Sequence, residues 1–214
     1  MWTLYGSNGS GSAAVEMGLL RCGLRYRVVR ASTWEPDSDQ AALHKVNPLG
    51  QIPALVAPDG AVMTESAAIL IALGLQFPKA QLLPAQSAAC AQNLRGLVYI
   101  AANCYAAIGV IDYPQRWCPD ASESTLKKLR AGARARLHGC WDQFADQFQA
   151  HPPQQFLSGA RPGALDMLAA VVSRWSGTRA HLTRTRPQLL GLLLQVQADP
   201  ELQPVFARHW PAAK

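Results

Sequence analysis

Pro53 is the residue that most restricts how this chain can fold. It opens a short apolar stretch, 54–57, with the composition of a β-strand. Because proline has no backbone N–H, a sheet tolerates it only at an edge or at the start of a strand. An X–Pro bond in such a tight turn is also a candidate cis peptide. We therefore predict a cis Ile52–Pro53 bond that leaves the N–H and C=O of Ile52 outside the sheet, where an extended peptide can pair with them.

A carboxylate and a hydroxyl stand together further along the chain. Glu65 and Ser66 follow a second predicted strand and precede an apolar helical run, 67–73. The first N–H groups of a helix have no partner within the helix, so ligand acceptors placed there meet free donors. The corner is therefore predicted to hold a ligand that carries both an ammonium and a carboxylate group.

Strands and helices alternate in the first part of the chain. The predicted elements are strand 3–5, helix 12–22, strand 25–30, helix 39–45, two strands around the Asp59-Gly60 turn, and a helix from residue 65. A glycine-rich loop, 6–11, joins the first strand to the first helix, and Gly23 ends that helix. The order βαβαββα predicts a mixed sheet whose first crossover is right-handed.

The rest of the chain has only helical periodicity. The predicted helices span 88–112, 123–149, 164–176, 187–198 and 201–208. We predict an α/β domain over 1–77, a linker over 78–85 and an all-α domain over 86–214. Segment 94–111 is apolar almost all round, so the core, a ligand cleft or a partner subunit must cover more than one of its faces.

Composition excludes several classes of function. The formal net charge is +6, but the densest basic segment, 127–136, forms the solvated face of an amphipathic helix, with no basic-aromatic module for nucleic acid. The five cysteines show no C-x-x-C pair and predict reduced thiols. No export signal occurs, and no apolar run reaches the ~20 residues of a membrane span. We expect a cytoplasmic protein that binds no nucleic acid, membrane or metal.

The motif around Pro53 resembles that of the glutathione S-transferase family. Asn47-Pro48, Ile52-Pro53 and Glu65-Ser66 occur here in the order and spacing of the family's thioredoxin-like glutathione-binding domain. The resemblance implies this thioredoxin-like domain at the N-terminus and an all-helical domain after it. It further implies a homodimer with helices 65–75 and 88–112 at the interface.

A second motif extends the resemblance to nearly the whole chain. The segment from Gly163 to Asp166 is similar to the family's helix-capping box, in which Ser or Thr precedes Asp by three residues. Glycine replaces the hydroxyl residue here. Because Gly costs only a few tenths of a kcal/mol relative to Ser at an N-cap, this departure leaves the predicted fold unchanged.

The resemblance implies how glutathione, as co-substrate, is held. The backbone of Ile52, next to Pro53, would pair with the cysteinyl residue of glutathione. Glu65 and Ser66 would hold the γ-glutamyl ammonium and carboxylate groups, and Gln51 would reach toward the glycyl end.

In this family the glutathione sulfur lies at the N-terminus of the first helix, beside a Tyr, Ser or Cys. Ser10, flanked by glycines and placed at the expected N-cap, is the predicted thiolate donor, with Ser12 as second candidate. Either serine alone also suits a helix cap. Tyr5 is a third candidate, close to the donor position of the tyrosine-using classes. The position of the cysteine used by one bacterial class is Gly11, so the chain resembles a serine-using bacterial type, of no assigned class.

The second substrate is expected to bind between the two domains. Tyr99, Asn103, Tyr105 and Trp117 are the candidate lining residues, although aromatics at helical spacing also suit a core. The resemblance implies an enzyme that adds the glutathione thiolate to a small hydrophobic electrophile. A glutathione-dependent isomerase or dehalogenase, and a non-catalytic binding or interaction protein, are the alternatives.

Overall fold

A computed structural model of the protein describes residues 1–32, 34–148 and 155–211. The first part is a four-stranded sheet of order β2-β1-β3-β4. Its strands are β1 (Trp2–Gly6), β2 (Tyr26–Arg30), β3 (Ala54–Val56) and β4 (Val62–Thr64). β1 runs parallel to β2 and antiparallel to β3, and β3 runs antiparallel to β4. This arrangement confirms the predicted mixed sheet.

Three helices accompany the sheet. They are α1 (Ser12–Arg21), α2 (Gln40–Val46) and α3 (Ser66–Gln76). α1 is buried along almost its whole length because the sheet lies on one side of it and the helices of the second part lie on the other. The observed order β1α1β2α2β3β4α3 is the predicted βαβαββα.

The remainder of the described chain is helical, as predicted. Its helices are α4 (Ser87–Tyr99), α5 (Ala106–Asp112), α6 (Glu123–Phe148), α7 (Ala164–Val172), α8 (Thr178–Thr185), α9 (Pro187–Ala198) and α10 (Gln203–His209). Single 3₁₀ turns lie at Pro78–Ala80 and Pro114–Arg116. The domain limits 1–77 and 86–214 stay predictions.

Two helix predictions need correction, and one helix was not predicted. The predicted helix 88–112 is interrupted by a π-helical segment, Ile100–Tyr105, between α4 and α5. The predicted helix 164–176 ends at Val172. The prediction also missed α8, because its sequence TRAHLTRT buries only Thr178 and Leu182 and therefore has no apolar periodicity.

α7 forms the centre of the helical part, and all of its residues are buried. Asp166, on its first turn, accepts hydrogen bonds from the backbone N–H groups of Leu157, Ser158 and Gly163 at 2.8, 3.0 and 3.0 Å. A Cβ atom on Gly163 would lie only 2.7 Å from the carbonyl oxygen of Leu82. The glycine of the capping box is thus explained by the close approach of the segment that joins the two parts.

One stretch of the described chain, Ser87–Asp112, is long and apolar enough by composition to cross a membrane. Core helices buried inside a folded domain meet the same criteria. Here the stretch packs against α6 and α7. In the described ranges no group of three His, Cys, Asp or Glu side chains is placed to hold a metal ion.

Candidate functional site

A cleft of about 980 Å³ separates the end of the sheet from the helical part. Its N-terminal wall consists of the loop before α1, the turn before β3 and the start of α3. Its C-terminal wall consists of the π-helical segment, α5 and the turn that follows α5. The predicted site residues that line it are Ser10, Gln51, Ile52, Pro53, Glu65, Ser66, Tyr105 and Trp117.

The turn before β3 brings Ile52 to the cleft. The Ile52–Pro53 peptide bond is cis, which confirms the prediction. Pairing between β1 and β3 begins only at Ala54, so Ile52 lies outside the ladder. Asn47 fixes the turn because its side-chain amide donates to the carbonyl of Gln51 at 2.7 Å and its Oδ1 accepts from the N–H of Leu49 at 3.2 Å.

Glu65 has an unusual backbone at the start of α3. Its φ of 63° and ψ of 107° lie in a region that residues other than glycine rarely adopt. Such strain is commonly found at ligand sites, where the surrounding structure enforces it. Ser66 follows as the first residue of the helix and is buried at the cleft wall. The two side chains and the free N–H groups of the first turn therefore meet in one corner, as the sequence indicated.

Three serines around the start of α1 form a closed set of hydrogen bonds. Ser10 Oγ donates to the carbonyl of Ser7 at 2.7 Å. Ser12 Oγ lies 2.7 Å from Ser10 Oγ and 3.2 Å from the same carbonyl oxygen. Both hydroxyl protons thus have acceptors inside the loop. The N-cap residue is Gly11, so the predicted N-cap position of Ser10 is wrong by one residue.

Ser10 and Ser12 differ in access to the cleft. Ser10 lines it, whereas Ser12 lies behind the loop, where a Cβ atom on Gly6 would be 2.5 Å from Ser12 Oγ. Tyr5 packs beside the small buried cluster of Ala31, Leu43 and Ala54. The donor role of any of these residues stays a prediction.

The last helix holds the loop in place through Gly9. The N–H of Gly9 donates to His209 Nδ1 at 3.2 Å, and Trp175 Nε1 donates to the Gly9 carbonyl at 3.3 Å. His209 Nε2 in turn lies 2.8 Å from a carboxylate oxygen of Glu16. Because Nδ1 accepts, the ring proton sits on Nε2 and is donated to Glu16. Both polar groups of Gly9 are therefore bound by the helical part of the protein.

Two of the four residues predicted for the second-substrate pocket lie elsewhere. The ring of Tyr99 packs against Phe144 and Phe148, and its hydroxyl donates to the carbonyl of Cys140 at 3.0 Å. The side-chain amide of Asn103 donates to the carbonyl of Tyr99 at 3.1 Å. Tyr99 thus packs against the core of the helical part. The side chains of Tyr99 and Asn103 both donate to backbone carbonyls in that part of the chain.

Several lining residues were not predicted. They are Trp34, Asp112, Tyr113, Arg116 and Trp175. The guanidinium of Arg116 lies 4.0 Å from the centroid of the Tyr113 ring, a cation–π contact. Burial raises the pKa of Asp112. The turn 112–117 directly follows the apolar segment 94–111, for which a ligand cleft was one of the expected covers, whereas no local signal in the sequence marked Trp175.

The chain is similar to known proteins in both sequence and fold. A sequence model of the glutathione S-transferase N-terminal domain matches residues 12–76. The chain is 36% identical over 211 residues to the uncharacterized GST-like protein YncG of Escherichia coli strain K12, with 98% of each chain covered. This chain belongs to the glutathione S-transferase family.

Further relatives agree with this membership. The chain is also 35% identical to glutathione S-transferase GstA of Escherichia coli O157:H7. The aligned 132 residues cover 61% of this chain and 60% of GstA. A glutathione transferase homologue from Sulfitobacter, solved with bound glutathione, matches with a TM-score of 0.81 and 24% identity over 96% of each chain. That likeness confirms the thioredoxin-like plus all-helical fold of the transferases.

Proposed function

We propose that the protein is a glutathione transferase that binds reduced glutathione in the cleft and adds its thiolate to a small hydrophobic electrophile. The observation that carries the proposal is the meeting of Ile52, Glu65, Ser66 and the N-terminus of α1 at one cleft wall. Family membership supports it, as does the bound glutathione of the Sulfitobacter homologue.

Each part of glutathione has a partner of suitable chemistry along this wall. The N–H and C=O of Ile52 pair with the cysteinyl backbone as a short β-strand would. The carboxylate of Glu65 binds the γ-glutamyl ammonium, and Ser66 with the N–H groups of α3 binds the γ-glutamyl carboxylate. Gln51 is placed beside Ile52 to meet the glycyl end. The sulfur then lies near Pro53 and the N-terminus of α1, whose dipole favours an anion.

The electrophile occupies the opposite wall. The side chains of Ile108, Tyr113 and Trp117 supply apolar surface there, and Trp34 also lines the cleft. In the reaction the thiolate forms a carbon–sulfur bond to the electrophile while the leaving group departs with its electron pair. Isomerase or dehalogenase chemistry needs the same thiolate at the same place and differs only in the fate of the adduct.

The second candidate function is a binding protein without turnover. The engagement of both Ser10 and Ser12 with the Ser7 carbonyl favours it, since neither hydroxyl is free to stabilise a thiolate. Glutathione affinity with no conjugation at any pH would be the result expected for that function.

Calorimetric titration with glutathione, followed by a conjugation assay with chlorodinitrobenzene, separates these functions. Glu65→Gln removes the charge that faces the ammonium group and should weaken glutathione binding roughly tenfold to a hundredfold. Glu123→Gln, an exposed acid on α6, is the matched control and should bind as the parent does. If the parent protein binds no glutathione, the proposed function is wrong.

The assembly and cellular location belong to the same proposal. We propose that the protein is cytoplasmic. We also propose that it is a homodimer, because large apolar side chains remain exposed on the two helices predicted for the interface. Leu75 on α3 is 66% exposed and Val98 on α4 is 57% exposed.

A further inference from the structure

The hydroxyl of Tyr105 is buried and has no hydrogen bond of ordinary length to the part of the chain that the structure describes. Tyr105 ends the π-helical segment, and its ring packs against Trp175 at a centroid distance of 5.8 Å. Its Oη is shielded from solvent and makes no hydrogen bond of ordinary length among the described residues, although the Ser66 hydroxyl lies close enough to act on its pKa. A buried hydroxyl without a partner costs about 1–3 kcal/mol, so native structures rarely keep one without a use.

The position of this hydroxyl is defined by Gly11. A Cβ atom on Gly11 would lie 2.2 Å from Tyr105 Oη and 3.8 Å from Pro53 Cδ. The backbone of Gly11 is ordinary, with φ −61° and ψ −15°, so any residue could adopt it. Glycine is therefore needed at this position for space, and the hydroxyl fills that space. A group from the helical part thus reaches the first turn of α1, beside the cis peptide.

We propose that Tyr105 is the residue whose hydroxyl holds the glutathione sulfur as a thiolate. This assignment rests on the proposed glutathione binding, which places the sulfur between Pro53 and the N-terminus of α1. The bound thiolate supplies the acceptor that Oη lacks. No serine of the loop is needed as donor, because the protons of Ser10 and Ser12 already have acceptors in the loop.

The chemistry needs a donor that keeps its own proton. Burial raises the pKa of the Tyr105 hydroxyl well above its usual range, the nearby Ser66 hydroxyl opposes part of the rise, and the negative charge of Glu65 adds to it. The phenol therefore stays protonated. The thiol of glutathione loses its proton to a buffer base, and the thiolate accepts a hydrogen bond from Oη. Its lone pair then forms the carbon–sulfur bond to an aryl halide, and halide leaves with the electrons of the broken carbon–halogen bond.

Tyr105→Phe tests the assignment because it deletes only the hydroxyl. The pKa of bound glutathione, read from its thiolate absorbance as a function of pH, should rise by about one to two units. The turnover number with chlorodinitrobenzene should fall roughly tenfold to a hundredfold at neutral pH, while the glutathione dissociation constant stays within about threefold. Tyr99→Phe, which deletes a hydroxyl bonded to the Cys140 carbonyl, is the matched control and should leave the titration unchanged.

Gly11→Ala is an independent second variant. Its methyl group would occupy the place of Oη. The variant should therefore raise the pKa of the bound glutathione thiol, as Tyr105→Phe does. The double variant Gly11→Ala with Tyr105→Phe should shift it no further than Tyr105→Phe alone, since both changes remove one interaction.

The outcomes separate the two levels of the proposal. If the parent protein binds no glutathione, the proposed function and the role of Tyr105 both fail. If it binds glutathione and Tyr105→Phe keeps the parent titration and turnover, only the role of Tyr105 is overturned. If Ser10→Ala shifts the titration and Tyr105→Phe does not, the loop serine is the donor.

Discussion

Glu16 is a buried carboxylate held by three side chains. Its oxygens accept from the Tyr26 hydroxyl at 2.8 Å and from His209 Nε2 at 2.8 Å, and Arg208 pairs with it from α10. Burial alone would raise the pKa of Glu16, but the hydrogen bonds from His209 and Tyr26 and the charge of Arg208 lower it overall. The ionised form is therefore the one that stabilises the fold.

The lowered pKa predicts a pH dependence of stability. The unfolded carboxyl titrates near 4.5, so the contribution of Glu16 is complete above that pH and is lost as the pH falls through the lower folded-state pKa. The Glu16→Gln variant should therefore have a lower free energy of unfolding than the parent at neutral pH. The difference between the two free energies should become smaller as the pH falls. Urea unfolding of both proteins from pH 7 to pH 3 measures this difference. Glu123→Gln is the control, and an equal narrowing in that variant would refute the prediction.

Among single residues, those that local motifs mark do lie at the cleft. Pro53, Glu65 and Ser66 were predicted to lie at the site because a missing N–H and a helix start are visible within a few positions. The meeting of Tyr105 with Gly11 was not predictable, because helical periodicity does not say which face of an apolar helix meets the cleft. For the same reason Tyr99, six positions earlier, was assigned to the wrong environment.

At the scale of elements, close packing of α4 against α7 depends on a glycine. A Cβ atom on Gly96 would lie 2.7 Å from Leu165 Cδ2. The absence of a side chain on α4 at that point leaves room for the end of the buried Leu165 side chain. Sequence patterns found both helices, since their apolar residues recur, but they missed α8, which is polar on most of its surface.

Gly96→Ala should destabilise the protein by about 1–3 kcal/mol, because the methyl group overpacks the helix contact. Gly132→Ala on α6 is the matched control, since nothing lies within 4 Å of its Cβ position. That change should stabilise the protein by about 0.4–1 kcal/mol by reducing the entropy of the unfolded chain. Urea unfolding of both variants measures the difference, and equal effects would contradict this account of the packing.

At the scale of the whole molecule, the proposed homodimer makes a direct prediction. Sedimentation at micromolar concentration should give a dimer. Val98→Glu places a charge on the exposed apolar face of α4 and should shift the protein to monomer. Leu194→Glu, at a residue 46% exposed on α9, is the control and should remain a dimer. A monomeric parent protein would rule out the dimer.

The bonds that fix Gly9 have a consequence for biosynthesis. Gly9 and His209 are 200 positions apart, and the contact of Glu16 with His209 spans 193. A ribosome delivers the chain from its N-terminus, so the sheet can assemble long before α10 leaves the exit tunnel. Until then the Gly9 N–H in the loop before α1 has no hydrogen bond to His209. A nascent or truncated chain without α10 therefore lacks the His209 bonds that hold Gly9 and Glu16, whatever part of the sheet has already formed.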